Sequence, residues 1–227
     1  MNEYDFDKYA DNYDNILRNK LSFFERDHTW FAEEKVIIVH NNIKSDPEKI
    51  LEFGCGIGRN IKYLRKHFPS AAIAGCDVSE KSLEVAYKKN PEVEFFSLNK
   101  GCVLDKYDLV LIANVLHHVT PLARIKLLKR IYNLLKDDGR IFVFEHNPYN
   151  PVTRLIVNTC ELDKDAILVG PKEIENLLKE SNFEIRKFNY ILFFPPFLKW
   201  LKTMEKYLVN FPLGGQYFVK ARKCKCR

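Results

Sequence analysis

Short apolar runs alternate with longer amphipathic ones through the middle of the chain. Residues 6–40 read as helical: Tyr9 and Tyr13 lie four apart, and Phe23, Trp30, Phe31 and the apolar residues up to Val39 make a broad stripe. "NIKSDPEK" then turns, with Pro47 blocking helix continuation. A strand over 50–53 leads to a helix over 57–67, and a strand over 71–76 to a helix over 80–89 that Ser79 can cap. Strands follow over 93–97 and 107–113. A helix from Pro121 to Lys136 then starts on a proline suited to a first turn. "DDG" turns into a strand over 140–145.

These are repeated strand–helix units with short apolar strands. They predict an α/β fold with a mostly parallel sheet covered on both faces. After residue 145 the rhythm changes. An irregular, turn-rich stretch precedes a helix over 171–180, a strand over 183–194, an aromatic helix near 197–209 and a last strand after Gly214-Gly215. The aromatics of "ILFFPPFLKWLKTMEKYL" are expected to be buried against the sheet. The alternatives are an apolar acceptor channel or peripheral membrane contact. No repeat or linker interrupts the pattern, so residues 1–227 read as a single domain.

Composition narrows the function. The net charge is +6, and five basic residues sit in the closing "KARKCKCR". The rest is nearly balanced, which argues against a stable nucleic-acid partner. The tail reads as a solvated end. The first residues carry no basic-then-apolar signal, and "LVLIANVL" and "ILFFPPFL" are too short to span a bilayer. The six cysteines therefore read as reduced thiols in a cytoplasmic protein.

Gly54, Gly56 and Gly58 lie in "ILEFGCGIGRN". A dinucleotide fingerprint needs a third glycine where this chain has Arg59. Glu52, two residues before the first glycine, would oppose a pyrophosphate but suits a cationic amino group. Asp77 ends the next strand, where a carboxylate can receive ribose hydroxyls. The ligand expected from these residues has a ribose, a positive end and no phosphate.

On those residues the chain resembles the class I S-adenosylmethionine-dependent methyltransferases. "LEFGCGIGRN", "GCDVSEKSLEVA", "VEFFSLNK", "YDLVLIANVLHHV" and "LLKDDGRIFVFE" look like its five motifs, in order. The resemblance implies a Rossmann-like, doubly wound, seven-stranded sheet, mostly parallel with a reversed last strand. It implies lid helices over 1–45, a cofactor-binding half over 46–145, an acceptor-side half over 146–223 and a basic tail over 224–227. S-adenosyl-L-methionine is then the cofactor, held by Glu52, Gly54, Gly56, Gly58, Asp77, Val78, Asn99, Ala113 and Asn114.

The acceptor side is read from what remains. His117, His118 and His146 follow strands whose carboxyl ends face such a site, and one of them is expected to act as general base, the alternative being inward packing. Asn114, His117 and His118 have the spacing at which some quinone-type O-methyltransferases hold a metal. Two acidic ligands are replaced here, so no metal is expected. "NPY" follows the fifth predicted helix-linked strand rather than the fourth, so it does not match the Asn-Pro-Pro-Tyr signature of amine methylation. Two Asn-Pro steps predict a rigid, extended loop. From it Glu145, His146, Asn147, Tyr149 and Asn150, with Arg154, Asp163 and Asp165, make a polar acceptor wall; the alternative is a purely structural loop. Tyr9 and Tyr13 resemble an aromatic lid. Together these features predict O-methylation of a small-molecule acceptor, such as a hydroxylated metabolite, sugar or lipid-linked intermediate. The alternatives are an RNA or protein methyltransferase and a non-catalytic partner that keeps the fold.

Overall fold

The structure, a computed structural model, describes residues 6–10, 13, 16, 30–100 and 105–224. Its frame is a seven-stranded sheet of β1 (Lys49–Phe53), β2 (Ala72–Asp77), β3 (Glu94–Ser97), β4 (Tyr107–Ala113), β5 (Leu135–His146), β6 (Phe183–Ile191) and β7 (Gln216–Lys223). The strand order is β3-β2-β1-β4-β5-β7-β6. The pairs from β3 to β5 are parallel, and β7 is antiparallel to both of its neighbours. This is the doubly wound sheet with one reversed strand. The order switches direction between β1 and β4, the place where sheets of this kind open a crevice beyond their carboxyl ends.

Successive strand residues point to opposite faces, and both faces are apolar. Leu51, Val110, Ile112 and Val143 meet Leu128, Ile131 and Leu134 of α4 (Pro121–Leu134) and Ile174 and Leu178 of α6 (Pro171–Glu180). On the other face Ile50, Leu109, Leu111 and Phe144 meet Ala32, Val36 and Val39 of α1 (Trp30–Asn41) and Ile61 and Leu64 of α2 (Ile61–His67). Helix α3 (Glu80–Lys89) begins at Ser79, whose hydroxyl accepts from the Ser82 N–H as the sequence predicts.

Several elements differ from the sequence reading. Helix α2 starts at Ile61 rather than 57, because Gly58 has φ +74 and lies outside helical space. The "DDG" turn is drawn into a longer β5, with a register shift between Tyr107 and Leu109 on its partner strand. Strand β6 ends at Ile191, since Leu192 takes φ 60 and turns the chain out of the sheet. The irregular stretch after residue 146 holds α5 (Pro151–Thr159), which starts on Pro151 and is capped by Asn150, whose Oδ1 accepts from the Thr153 N–H at 2.9 Å. The second Asn-Pro step is thus a helix start rather than an extended loop.

The predicted aromatic helix is a 3-10 segment, Pro196–Met204, kinked at Leu198, followed by α7 (Glu205–Leu208). Its aromatics are not buried against the sheet. Trp200 is 71% and Tyr207 73% exposed. Of the N-terminal helical reading, a 3-10 turn (Phe6–Lys8), Tyr9 in a following turn, Tyr13 and α1 are described. Phe23, Cys102 and Cys226 lie outside the described residues. Among the described residues, no helix is long and apolar enough to cross a membrane.

Candidate active site

The crevice beyond β1, β2 and β4 is a cavity of about 640 Å³, within the range of small-molecule sites. Its wall includes Glu52, Gly54, Gly56, Asp77, Val78, Asn99, Ala113 and Asn114. The glycine loop is fixed from below. The N–H groups of Gly54 and Cys55 donate to the Cys76 carbonyl at 2.8 and 3.0 Å. Asp77 accepts from the Gly56 N–H at 2.7 Å and the Ser79 N–H at 3.0 Å. Gly54 has φ +75, and a Cβ there would collide with the Val115 side chain. Gly58 does not line the cavity; a Cβ there would press on Ala86 and Asn90, so its work is to let the loop approach α3. Asn99 is exposed and donates to the Val78 carbonyl at 3.0 Å.

Glu52 is 1% exposed. Its Oε1 accepts from Asn60 at 2.5 Å, while the buried Oε2 has no partner among the described residues. Burial raises its pKa to about 8, against the opposing pull of Asn60 and Lys35. Burial likewise lowers Lys35, on α1 and on the same cavity wall, to about 8. A carboxylate with an unused oxygen and a lysine, both facing one cavity, suit the ammonium and carboxylate of an amino-acid end, and Asp77 adds an acceptor for hydroxyls. The residues present therefore fit S-adenosylmethionine. Lys35 and Asn60 escaped the sequence reading. The only signal for Lys35 was a charge inside the apolar run "FAEEKVIIV".

A second cavity of about 320 Å³ adjoins the first and shares Tyr13, Phe31, Lys35, Arg59, Asn114 and His118 with it. Its own wall holds His117, His146, Asn150, Asp163 and Gln216 among apolar side chains such as Ile156 and Phe193. The three histidines converge: the His117 ring lies 4.1 Å from that of His118 and 5.1 Å from that of His146.

Glu145 stands behind them. Its Oε2 meets His117 Nδ1 at 2.5 Å, and its Oε1 accepts from the N–H groups of Val115 and Leu116 at 3.1 and 2.7 Å. It braces the 3-10 turn Leu116–His118 rather than facing the second cavity. Burial opposes charge on His117, but Glu145 and Asp163 outweigh it and raise its pKa to about 9. Burial and then the His117 charge lower His118 to about 3 and His146 to about 4.

The other expected wall residues are placed elsewhere. Asn147 is fully buried, with its amide donating to the Pro212 and Gly214 carbonyls, and so fastens the end of β5 to the loop before β7. Tyr149, Arg154 and Asp165 are exposed and line neither cavity; Arg154 sits on the outward side of α5. Tyr9 also lines neither cavity, whereas Tyr13 borders both.

A family model described as a methyltransferase domain matches residues 51–141. A structure of an S-adenosylmethionine-dependent methyltransferase from Archaeoglobus fulgidus superposes with TM-score 0.69 at 16% identity, covering 93% of this chain and all of that one. Residues 51–141 thus match a methyltransferase domain, and the chain has the fold of the S-adenosylmethionine-dependent methyltransferases. Another fold relative is the plantazolicin methyltransferase BpumL in complex with SAH, with TM-score 0.65, 21% identity and coverage of 99% and 92%. Among curated methyltransferases, the demethylmenaquinone methyltransferase of Thermotoga maritima is 29% identical over 148 residues, 64% of this chain and 61% of the relative. The carboxy-S-adenosyl-L-methionine synthase of Nautilia profundicola is 28% identical over 193 residues, 81% of this chain and 75% of the relative. The match thus spans less than two thirds of the first of these relatives and three quarters of the second.

Proposed function

We propose that the protein transfers the methyl group of S-adenosylmethionine to a hydroxyl of a small-molecule acceptor. The observation that carries this is the wall shared by the two cavities, where Asn114 and His118 border both. The cofactor supplies an already activated methyl group. Glu52 and Lys35 hold its amino-acid end, and Asp77 its ribose. Val78 and Asn99 line the same cavity, and we assign them to its adenosine end. The chain's remaining task is alignment of the acceptor and exclusion of water. Tyr13 and Phe31 cover the shared wall, and His118 and His146 touch the acceptor hydroxyl. Both rings are neutral at neutral pH, and a neutral imidazole there is placed to receive the hydroxyl proton.

The size and mixed lining of the second cavity favour a small, partly apolar acceptor over RNA or a protein segment. The names of two relatives, demethylmenaquinone methyltransferase and ubiquinone biosynthesis O-methyltransferase, point toward ring-bearing acceptors. Exposed Phe197, Trp200 and Tyr207 with nearby Lys206 support peripheral contact with a membrane that carries such an acceptor. The cysteines on the described residues are free thiols, in keeping with a cytoplasmic setting.

The test is thermal shift with S-adenosylhomocysteine, with NAD as control, followed by transfer of labelled methyl to a panel of phenols, quinols, sugars and amines. Stabilisation by S-adenosylhomocysteine alone and label on a hydroxylated acceptor are expected. Stabilisation by NAD, or label confined to amines, would overturn the reading.

A further inference from the structure

The acceptor cavity contains a donor cluster that alignment of a methyl donor does not require. His117 Nε2 lies 3.4 Å, and His118 Nε2 3.5 Å, from the same oxygen, Oδ1 of Asp163. One donor atom from each of the three residues lies within 4.8 Å of the other two. His117 is 1% exposed, and its Nε2 makes no hydrogen bond among the described residues. Its Nδ1–H is directed at Glu145, so the Nε2 position that faces the Asp163 carboxylate takes either a proton, which makes the ring an imidazolium, or a metal ion. Two acceptors facing each other in a buried cavity call for something positive between them.

We propose that His117, His118 and Asp163 hold a divalent transition-metal ion of the zinc type, with open positions toward the acceptor cavity. The spacing supports this: ligands about 2.0–2.2 Å from a metal lie about 3–3.5 Å apart in tetrahedral or octahedral geometry. The chemistry supports it too. Two imidazoles and one carboxylate suit zinc or iron(II) rather than magnesium or calcium, which favour all-oxygen sites. Glu145 supplies the outer carboxylate that fixes the ring and tautomer of a metal-binding histidine. The third ligand arrives from the 3-10 turn Glu161–Asp163, far along the chain, whereas the expectation of no metal weighed only Asn114, His117 and His118, where two acidic ligands are replaced. Docking of an acceptor oxygen on this ion rests on the methyl-transfer reading; binding of the ion does not.

The experiment uses the full chain, stripped with chelator and without cofactor or acceptor. Zn²⁺ is titrated by competition with a chromophoric chelator, and Co²⁺ by its visible absorption. One ion per chain is expected. His118→Gln and Asp163→Asn should each weaken Zn²⁺ at least tenfold, while Cys224→Ser leaves it unchanged. His117 is too deeply buried to be the deciding variant, whereas the Asp163 side chain is 14% exposed and nearly isosteric with Asn. Circular dichroism melts identify any variant that fails to fold. Absence of saturable 1:1 binding by both ions overturns the proposal and leaves a proton between these groups. So does binding that neither substitution alters.

Discussion

The carboxylate of Asp77 is held by the backbone N–H of Gly56 at 2.7 Å. A side chain at the end of β2 therefore sets the height of the glycine loop at the end of β1, and the same residue lines the first cavity. Asp77→Asn should weaken S-adenosylhomocysteine by tenfold or more, since charged hydrogen bonds contribute about 1.5–3 kcal/mol each. It should also lower the melting temperature, because the loop loses its anchor. Calorimetry and a thermal melt on one sample read both; unchanged affinity would remove Asp77 from the site.

Glu52 and Lys35, both near pKa 8 through burial, make cofactor affinity depend on pH. Below pH 8 the free protein holds a proton on Glu52, which a ligand ammonium must displace, so affinity should rise toward pH 8 by up to about tenfold per unit. Above pH 8 Lys35 loses the charge that a ligand carboxylate needs, so affinity should fall. Calorimetry from pH 6 to 10 should trace a maximum near pH 8. Glu52→Gln should flatten the acid limb and Lys35→Met the alkaline one. The same burial has a stability sign. With its folded pKa raised, Glu52 costs the protein nothing below about pH 4 and destabilises it progressively toward pH 8. Glu52→Gln should therefore raise the melting temperature more at pH 9 than at pH 5.

Gly54 is closed to a side chain twice over, by φ +75 and by Val115. Gly54→Ala should lower both stability and S-adenosylhomocysteine affinity. Adding Val115→Ala relieves the collision but not the backbone strain of about 1–2 kcal/mol. The double variant should recover part of the lost melting temperature, and full recovery would show that φ is unimportant there.

Arg124 is fully buried and donates to the carbonyls of Leu116 at 3.1 Å, Val119 at 3.0 Å and Ile167 at 2.5 Å, and it pairs with Glu173. It joins the histidine turn to the segment that carries Asp163. Arg124→Met takes the guanidinium donor from the Val119 and Ile167 carbonyls, at about 1–3 kcal/mol each, while the Leu116 carbonyl keeps the Val119 N–H at 3.1 Å. The melting temperature should fall by about 10 °C for a chain of this size. S-adenosylhomocysteine affinity should change little, since Arg124 lines neither cavity. Loss of affinity as large as that of Asp77→Asn would contradict this division of labour.

Local signals were read well where they were strong. The apolar run of β4, the Ser79 cap of α3 and the Gly170-Pro171 start of α6 each announce an element within a few residues. Glu52 and Asp77 were legible because a charge at the end of an apolar strand has few other uses. Asn147, Tyr149 and Arg154 were misplaced because Asn150-Pro151 can extend a loop or open a helix, and only tertiary packing decides. Lys35, Asn60 and the meeting of Asp163 with His117 depend on contacts between distant segments, which no local pattern encodes.

The strand reversal at β7 has a historical consequence. It brings Gly215 and Gln216 beside His146 and α5, so one chamber is walled largely by residues from 146 onward and the other by residues from 52 to 127. Inheritance can act on the two separately. Under the proposed function, a lineage can exchange α5 and the 192–195 turn, and with them the acceptor, while the first chamber descends unchanged. Laboratory evolution aimed at a new acceptor has the same two short segments as its natural starting ground.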